Sequence, residues 1–179
     1  MPTDADELLL SLREPIAVVG NGMIRRKHDE IEAHATIIRF NNFADVGYEA
    51  DVGHTIHVWC VTCCGNVRHR RWDHPVAAMT IATVEEQPVD VPRWLKNYPD
   101  MAVPASSWIA DARRIKGANP TTGLTLMVRL LHHKRRFTAF GFDGLRSGHY
   151  WHIGHRHTPS HADELPTLME LARLGAVIT

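Results

Sequence analysis

The sequence predicts an α/β fold in which a mostly parallel, twisted sheet carries helices on both faces. Short β-branched runs, such as 16–19 and 36–40, alternate along the chain with stretches of helical spacing. Continuous short apolar runs are typical of strands buried on both faces, and their alternation with helices favours a parallel sheet. A Gly-Asn-Gly turn directly follows the run 16–19, as expected where a buried strand ends at the edge of such a sheet.

The size and charge of the chain narrow the class of protein. Its 179 residues suit one domain, which we expect to span 1–179. The 20 acidic and 20 basic residues cancel, so net charge favours neither a nucleic-acid nor an anionic-membrane partner. The N-terminal segment starts with acidic residues and no apolar run is long enough to span a bilayer. We therefore expect no signal peptide and no transmembrane segment.

Three clustered cysteines, Cys60, Cys63 and Cys64, bear on the compartment and on metal binding. An odd, clustered set argues against a disulfide framework and favours a reducing, cytoplasmic location. These thiols could also bind zinc together with His57 or His69. However, the spacing lacks paired CxxC motifs, and a cysteine that ends an apolar strand is commonly a small core residue. We therefore expect no metal.

Strands are predicted where compact apolar runs are bounded by turn residues. The predicted strands are 16–19, 36–40, 55–61, 76–84 and 137–142, and a short strand at 101–103 is compatible with the pattern. The apolar stretch 174–178 fits either an edge strand or a surface that pairs two molecules.

Helices are predicted from apolar spacing and from capping residues. The predicted helices are 4–13, 25–34, 106–116, 120–133 and 162–174. The first is expected to have Thr3 or Asp4 as its cap and to end before Pro15. In the fourth, Asn119 is expected at the cap and Pro120 at the first helical position.

The turn formed by Gly20, Asn21 and Gly22 is the first candidate site. A glycine turn after a strand brings backbone N–H groups and a helix start to the edge of the sheet where ligands bind. The Asn21 amide could bind a phosphate or a ribose. The alternative is an ordinary strand-to-helix turn, because no third glycine completes a dinucleotide fingerprint.

The second candidate is Asn41, at the end of the strand 36–40. If 16–19 and 36–40 are parallel neighbours, Asn41 lies on the same edge as Asn21. The alternative is a turn that uses asparagine because its backbone tolerates unusual dihedral angles.

The third candidate is the helix start at Thr121, Thr122 and Gly123. Two hydroxyls and the unsatisfied amides of a first helical turn form a neutral cradle for an anion. Plain helix capping is the alternative. Gly123 favours a binding role, because glycine weakens a helix and its presence indicates close approach of a ligand or of another part of the backbone.

The fourth candidate is the segment 149–164, which contains five histidines. Histidine can accept a proton from a sugar hydroxyl near neutral pH, and it can also stabilise a departing phosphate. The alternatives are a metal cluster or an incidental surface loop.

Together these segments resemble the sialylmotifs of glycosyltransferase family 29, the sialyltransferases, in order and spacing. The residues that match the four motifs are 16–22 with 37–41 and 46–53, 119–123 with 140–142, 149–151, and His161 with Glu164. The resemblance implies a Rossmann-like domain of the GT-A-variant type. It also implies an inverting, metal-independent transferase without a cofactor. Such an enzyme moves sialic acid or a related acidic keto-sugar from a CMP-sugar donor to a glycan or glycolipid hydroxyl.

The matched motifs imply roles for individual residues. His161 is the implied general base for the acceptor hydroxyl, and His149 the implied donor to the departing phosphate. The residues implied to bind the donor are Gly20, Asn21, Gly22, Asn41, Thr121, Thr122, Gly123 and Tyr150.

The chain departs from the family pattern in four respects, one of which is His152 directly after the third motif, where an acid or an amide is more usual. The family's cysteine pair is absent, with Ile16 at the first position and approximately Lys134 at the second. Two residues separate His and Glu in the last motif, where the family has four, so His155 and His157 are rivals to His161. The chain is also shorter than the family's animal catalytic domains. A nucleotide- or glycan-binding module without turnover is therefore the alternative function.

Overall fold

Eight strands form one sheet within the described part of the chain. The computed structural model describes residues 3–62, 74, 76–81, 101–103, 107–117, 119–146, 148–150 and 163–179. The strands are β1 (Thr3–Asp4), β2 (Ile16–Val19), β3 (Thr36–Phe40), β4 (Val58–Thr62), β5 (Ala77–Ile81), β6 (Met101–Val103), β7 (Phe137–Phe140) and β8 (Val177–Ile178). The helices are α1 (Ala5–Ser11), α2 (His28–Glu32), α3 (Glu49–Val52), α4 (Ser107–Lys116), α5 (Thr122–His132) and α6 (Leu165–Arg173).

The strand order in the sheet is β1-β6-β5-β4-β3-β2-β7-β8. Every neighbouring pair is parallel. In the centre, Val18 of β2 lies opposite Ile38 of β3 on one side and Ala139 of β7 on the other. The predicted parallel α/β sheet is therefore confirmed.

Helices cover both faces because successive strand residues point to opposite sides. Ile16 and Val18 of β2 belong to a core formed with α1, α4, α5 and α6. Ala17 and Val19 belong to a second core that includes residues of α2 and α3. All four residues of β2 are buried, which explains why the strand is continuously apolar.

A topological switch point lies between β2 and β7. After β2 the chain passes through α2 on one face to β3, whereas after β7 it reaches β8 through α6 on the other face. The connections therefore diverge, and this topology predicts a crevice outside the carboxyl ends of these two strands. Open α/β sheets bind their ligands in crevices of this kind.

The first turn of α5 differs from the prediction. The cap is Thr121, whose hydroxyl accepts a hydrogen bond from the Leu124 amide at 3.3 Å. Asn119 was expected at the cap, but its Oδ1 instead accepts a hydrogen bond from Nε of Arg113 at 3.0 Å. The helix therefore begins at Thr122, and Pro120 precedes it.

Other boundaries differ where single residues leave the helical or extended conformation. Arg26 has a φ of 51°, so α2 cannot begin at residue 25 and forms only at His28. Gly141 has a φ of 70°, which ends β7 at Phe140 rather than at 142. Asp4 caps α1 by accepting hydrogen bonds from two backbone amides.

Two short elements, β1 and α3, were not predicted, because two and four residues are too few to show a period. The terminal stretch forms β8 at the edge of the sheet, paired with β7, which selects the edge-strand alternative.

Candidate functional site

The glycine turn runs alongside the end of β7 in the crevice between the two strands. The Gly20 amide donates to the Phe140 carbonyl at 2.8 Å, and the Gly22 amide donates to the Gly141 carbonyl at 3.0 Å. A Cβ atom at Gly20 would lie 2.8 Å from the Gly141 oxygen, and one at Gly22 would lie 2.5 Å from it. The glycines are thus required by backbone packing. Their two amides bond within the protein, contrary to the expectation that they face a ligand.

Asn21 links three segments at this edge. Its Nδ2 donates to the Phe40 carbonyl at the end of β3 at 3.3 Å, and its own carbonyl accepts from the Tyr150 amide at 3.0 Å. Its Oδ1 is buried and has no hydrogen-bond partner among the described residues. A buried acceptor without a donor is costly, so a ligand hydroxyl or amine bound here would be stabilised.

Asn41 lies on the same edge as Asn21, as expected for neighbouring parallel strands. Its φ of 48° lies in the left-handed region, which supports the alternative that asparagine was selected for its backbone. Its Oδ1 accepts from the Thr62 amide at 2.7 Å, and its carbonyl accepts from Nε1 of Trp59 at 2.9 Å. Nδ2 makes no hydrogen bond to the described residues and is the part of Asn41 left for a ligand.

The start of α5 faces the same crevice. Phe142, directly after Gly141, places its ring 3.0 Å from where a Cβ of Gly20 would lie and 2.5 Å from where a Cβ of Gly123 would lie. The ring also meets Phe40 edge to face at 6.0 Å between centroids. The close approach that Gly123 indicated is therefore explained by an aromatic side chain, which brings the glycine turn and the helix start together.

Thr121 and Thr122 have different surroundings. The Thr121 hydroxyl donates to Oε2 of Glu164 at 2.9 Å and also caps the helix, so its proton is used within the protein. Thr122 makes no side-chain hydrogen bond among the described residues. The backbone amides of Thr122 and Gly123 are the first of the helix and have no partner within it.

Glu164 is a positioning residue that the sequence matched to a motif without assigning it a function. It is 2% exposed, and its Oε1 accepts from Nζ of Lys116 and from the Thr121 amide, both at 2.8 Å. These bonds fix the residue that precedes α6 to the start of α5. Glu164, the described residue of the last motif, is thereby held against the small motif.

Tyr150 packs inward. It is 7% exposed, its hydroxyl donates to the Ala44 carbonyl, and its ring meets Tyr48 edge to face at 5.4 Å. The hydroxyl is therefore used within the protein, and donor binding by Tyr150 stays a prediction. Tyr150 instead anchors its neighbour His149, whose Nδ1 is buried, beside the Asn21 carbonyl.

Comparison with known proteins agrees with the motifs. A chicken CMP-N-acetylneuraminate-beta-galactosamide-alpha-2,3-sialyltransferase 1 is 27% identical over an alignment of 163 residues. The match covers 76% of this chain and 46% of the relative. A crystal structure of a mammalian sialyltransferase in complex with Gal-beta-1-3GalNAc-ortho-nitrophenol aligns with a TM-score of 0.66, and another mammalian sialyltransferase structure aligns with 0.63. Both are 19% identical and cover 92% of this chain and 68% of theirs. The chain is sialyltransferase-like.

The likeness to the solved sialyltransferases confirms the Rossmann-like α/β fold. No protein-family model matches the sialyltransferase-like chain. The chain spans about half the length of the curated relative that it matches. Among the described helices, none combines the length and apolar character needed to cross a membrane.

Two of the residues in the zinc alternative, Cys60 and His57, are described in this sialyltransferase-like chain, and both have structural roles there. Cys60 is 0% exposed, and burial raises the pKa of its thiol, so the thiolate that zinc prefers is disfavoured. Nδ1 of His57 accepts a hydrogen bond from the Ile37 amide at 3.0 Å. Cys63, Cys64 and His69 lie outside the described residues.

The structure therefore brings together the residues predicted from three of the four motifs. The glycine turn, Asn41, the start of α5 and His149 with Tyr150 meet around the carboxyl ends of β2 and β7. His161, the expected base, and its rivals His155 and His157 lie outside the described residues.

Proposed function

We propose that this chain, acting as one domain over 1–179, is an inverting, metal-independent glycosyltransferase. It transfers sialic acid or a related acidic keto-sugar from a CMP-sugar to a glycan or glycolipid hydroxyl. The observation that carries the proposal is the switch point between β2 and β7, where the two connections diverge. There, a buried Asn21 oxygen without a donor lies on the same edge as the unpaired amides of a helix start.

The donor is held by two kinds of contact. The amides of Thr122 and Gly123, at the positive end of α5, bind the phosphate or the sugar carboxylate. Oδ1 of Asn21 accepts from a donor group of the CMP moiety, and Nδ2 of Asn41 donates to an acceptor on it. Gly20, Gly22 and Thr121 shape this site rather than contact the nucleotide through polar groups.

The chemistry uses two histidines. His161 accepts the proton of the acceptor hydroxyl while its oxygen forms a bond to the anomeric carbon. The bond between that carbon and the phosphate oxygen breaks, and its electron pair leaves with CMP. His149 donates a hydrogen bond or a proton to that phosphate, which stabilises its developing charge. Fixed positions of donor and acceptor supply much of the rate enhancement.

A binding module of the same fold without turnover is the second candidate. It is favoured by the short spacing between His161 and Glu164. Glu164 is fixed to Thr121, so only two residues are left to bring an imidazole to the acceptor.

Donor binding is tested by titrating CMP into the protein in a calorimeter. We expect binding, and we expect Asn21→Ala to weaken it about 10-fold, because one hydrogen bond contributes about 0.5–1.5 kcal/mol. Asn42→Ala is the control. Asn42 follows Asn41 in the chain and has no role in the proposal, so this change should leave the affinity for CMP unchanged. No binding at millimolar CMP would contradict both candidate functions.

Transfer is tested with CMP-sialic acid and galactosides as acceptors. We expect His161→Ala to abolish transfer while CMP affinity is kept, and His132→Ala, at an exposed histidine of α5, to change neither. The rate should fall below about pH 6, where a histidine base is protonated. EDTA should leave the rate intact.

Other outcomes of the transfer experiment assign the function differently. An unchanged rate in His161→Ala moves the base to His155 or His157. CMP binding without any turnover favours the binding module. Abolition of the rate by EDTA contradicts a metal-free reaction.

We also propose a reducing, cytoplasmic compartment. The support is the clustered cysteine set and the absence of the family's cysteine pair at Ile16 and near Lys134. Fractionation of cells that produce the protein tests this, and recovery from a secretory compartment would contradict it.

A further inference from the structure

Two histidines and a glutamate form a cluster outside the candidate donor site. His28 and Glu32 lie four residues apart on α2, and His54 lies in the loop after α3. One potential ligand atom from each residue lies within 4.8 Å of the others. The rings of His28 and His54 are stacked, with 6.5 Å between centroids and 25° between planes.

The loop that carries His54 is folded around the Glu32 carboxylate. Oε1 of Glu32 accepts hydrogen bonds from the His54 amide at 2.8 Å and from the Thr55 amide at 3.0 Å. Gly53 has a φ of 69°, and a Cβ atom there would overlap the same oxygen. Backbone contacts thus hold His54 beside α2 before any ligand binds, and such preorganisation favours a site.

The Glu32 carboxylate is held by the loop and lies near a buried guanidinium. Oε1 lies 4.0 Å from Nη2 of the buried Arg39, and the Thr55 side chain is a further hydrogen-bond donor to the carboxylate. Burial alone would raise the pKa of Glu32, but hydrogen bonds from Thr55 and His54 outweigh it and the pKa lies below its usual value. The loop therefore holds the carboxylate in place as an oxygen ligand beside the two imidazoles.

His28 is oriented by a carboxylate in the manner of metal-binding histidines. Its Nδ1 lies 2.9 Å from Oδ1 of Asp29. When Nδ1 carries the proton and donates to Asp29, Nε2 keeps its lone pair. Histidine ligands of metals commonly have their second nitrogen held by a carboxylate in this way.

We infer that His28, Glu32 and His54 bind a divalent transition-metal ion, with Zn²⁺ as the best match. Two imidazoles and one carboxylate form a known three-ligand set for zinc, with water as the fourth ligand. Bonds of about 2.0–2.1 Å place tetrahedral ligand atoms about 3.3 Å apart. The present ligand atoms lie within 4.8 Å of one another, and because His54 is exposed, rotation of its side chain can shorten these distances.

The bound metal would join the loop 53–55 to α2 and so stabilise the fold. None of its ligands is among the residues proposed for donor binding or proton transfer. The site therefore does not conflict with transfer in the presence of EDTA. The competing arrangement is a metal-free contact between the His54 ring and the Glu32 carboxylate.

The test uses the full chain after removal of metal with EDTA and dialysis. Zn²⁺ is titrated by calorimetry, and Co²⁺ is followed by its visible absorption, which reports a tetrahedral site. We expect one strong site, a higher melting temperature with Zn²⁺, and at least about 10-fold weaker binding in His28→Ala and in His54→Ala. His132→Ala, at an exposed histidine away from the cluster, should bind as the parent protein does.

Glu32→Gln keeps the proposal testable if a histidine variant does not fold. Glutamine keeps an oxygen that can accept from the His54 and Thr55 amides but removes the charge, so the loop is kept and metal affinity should fall. The proposal is overturned if no Zn²⁺ binds. It is also overturned if those of His28→Ala, His54→Ala and Glu32→Gln that are soluble bind Zn²⁺ as tightly as the parent protein. The metal would then lie on histidines elsewhere, such as those of 149–161.

Discussion

At the scale of single residues, the sequence indicated which segments lie close together more readily than which of their atoms are available. Close approach was expected at Gly123, and its partner is the Phe142 ring, while Gly20 packs against a carbonyl. The hydroxyls of Thr121 and Tyr150 are engaged within the protein. A motif indicates which residues lie near a site. It does not say which of their polar atoms are already hydrogen-bonded, because those partners come from distant parts of the chain.

The contact between Gly123 and Phe142 is tested by Gly123→Ala. Alanine favours the helix by about 1 kcal/mol, but its Cβ would lie 2.5 Å from the ring, and overpacking of this kind costs about 1–3 kcal/mol. We expect a net loss of about 1 kcal/mol of stability in urea unfolding, with weaker CMP binding.

Phe142→Leu supplies the control for that clash. In the double variant, the smaller leucine side chain makes room for the added methyl group. The loss of stability measured for the double variant should therefore be smaller than the sum of the losses of the two single variants. Simple additivity would show that the ring does not limit the size of residue 123.

At the scale of elements, the sequence predicted most helices and strands but missed what begins α5. The prediction placed Asn119 at the cap of α5 because Asn-Pro is a common helix start. The observed cap is Thr121, which a buried glutamate 43 residues further along also holds. Local sequence cannot reveal a partner at that distance. The element boundary was wrong, although the prediction of a helix was correct.

The bond between Glu164 and α5 is tested by Glu164→Ala. Lys116 and Glu164 have side chains that are each 2% exposed, so the change leaves a buried ammonium without its carboxylate. We expect a loss of about 3–5 kcal/mol in the free energy of unfolding. Glu164→Gln, which keeps an acceptor oxygen, should lose less.

Glu170→Ala is the matched control, since Glu170 pairs with Arg173 on the exposed side of α6. That change should leave the urea midpoint nearly unchanged. Equal losses at the two positions would contradict a special role for the buried pair.

At the scale of the whole molecule, the parallel sheet was predicted but its strand order was not. Alternation along the chain shows that strands are parallel, whereas the neighbours of β2 depend on contacts between distant segments. Asp6 makes a contact between distant segments of this kind, here between two helices. Its carboxylate binds Nε and Nη2 of Arg129, both at 2.6 Å, and lies 2.6 Å from Nε2 of His133, so α1 is joined to the end of α5.

Asp6 gives the fold a dependence on pH. Hydrogen bonds from Arg129 outweigh burial and hold the pKa of Asp6 well below its usual value of 3.8. Because the folded pKa is the lower one, this stability is fully present above about pH 4 and is lost as the pH falls further. We expect the difference in urea midpoint between the parent and Asp6→Asn to shrink from pH 6 to pH 2. A constant difference would refute this account.

The hydrogen bond between Nε1 of Trp59 and the Asn41 carbonyl has a practical consequence. It joins a fully buried indole to the asparagine whose remaining amide is proposed to contact the nucleotide. Occupancy of the crevice by CMP should therefore perturb the electronic environment of this chromophore. The intrinsic emission of the protein then supplies an optical signal for ligand binding, without any attached dye.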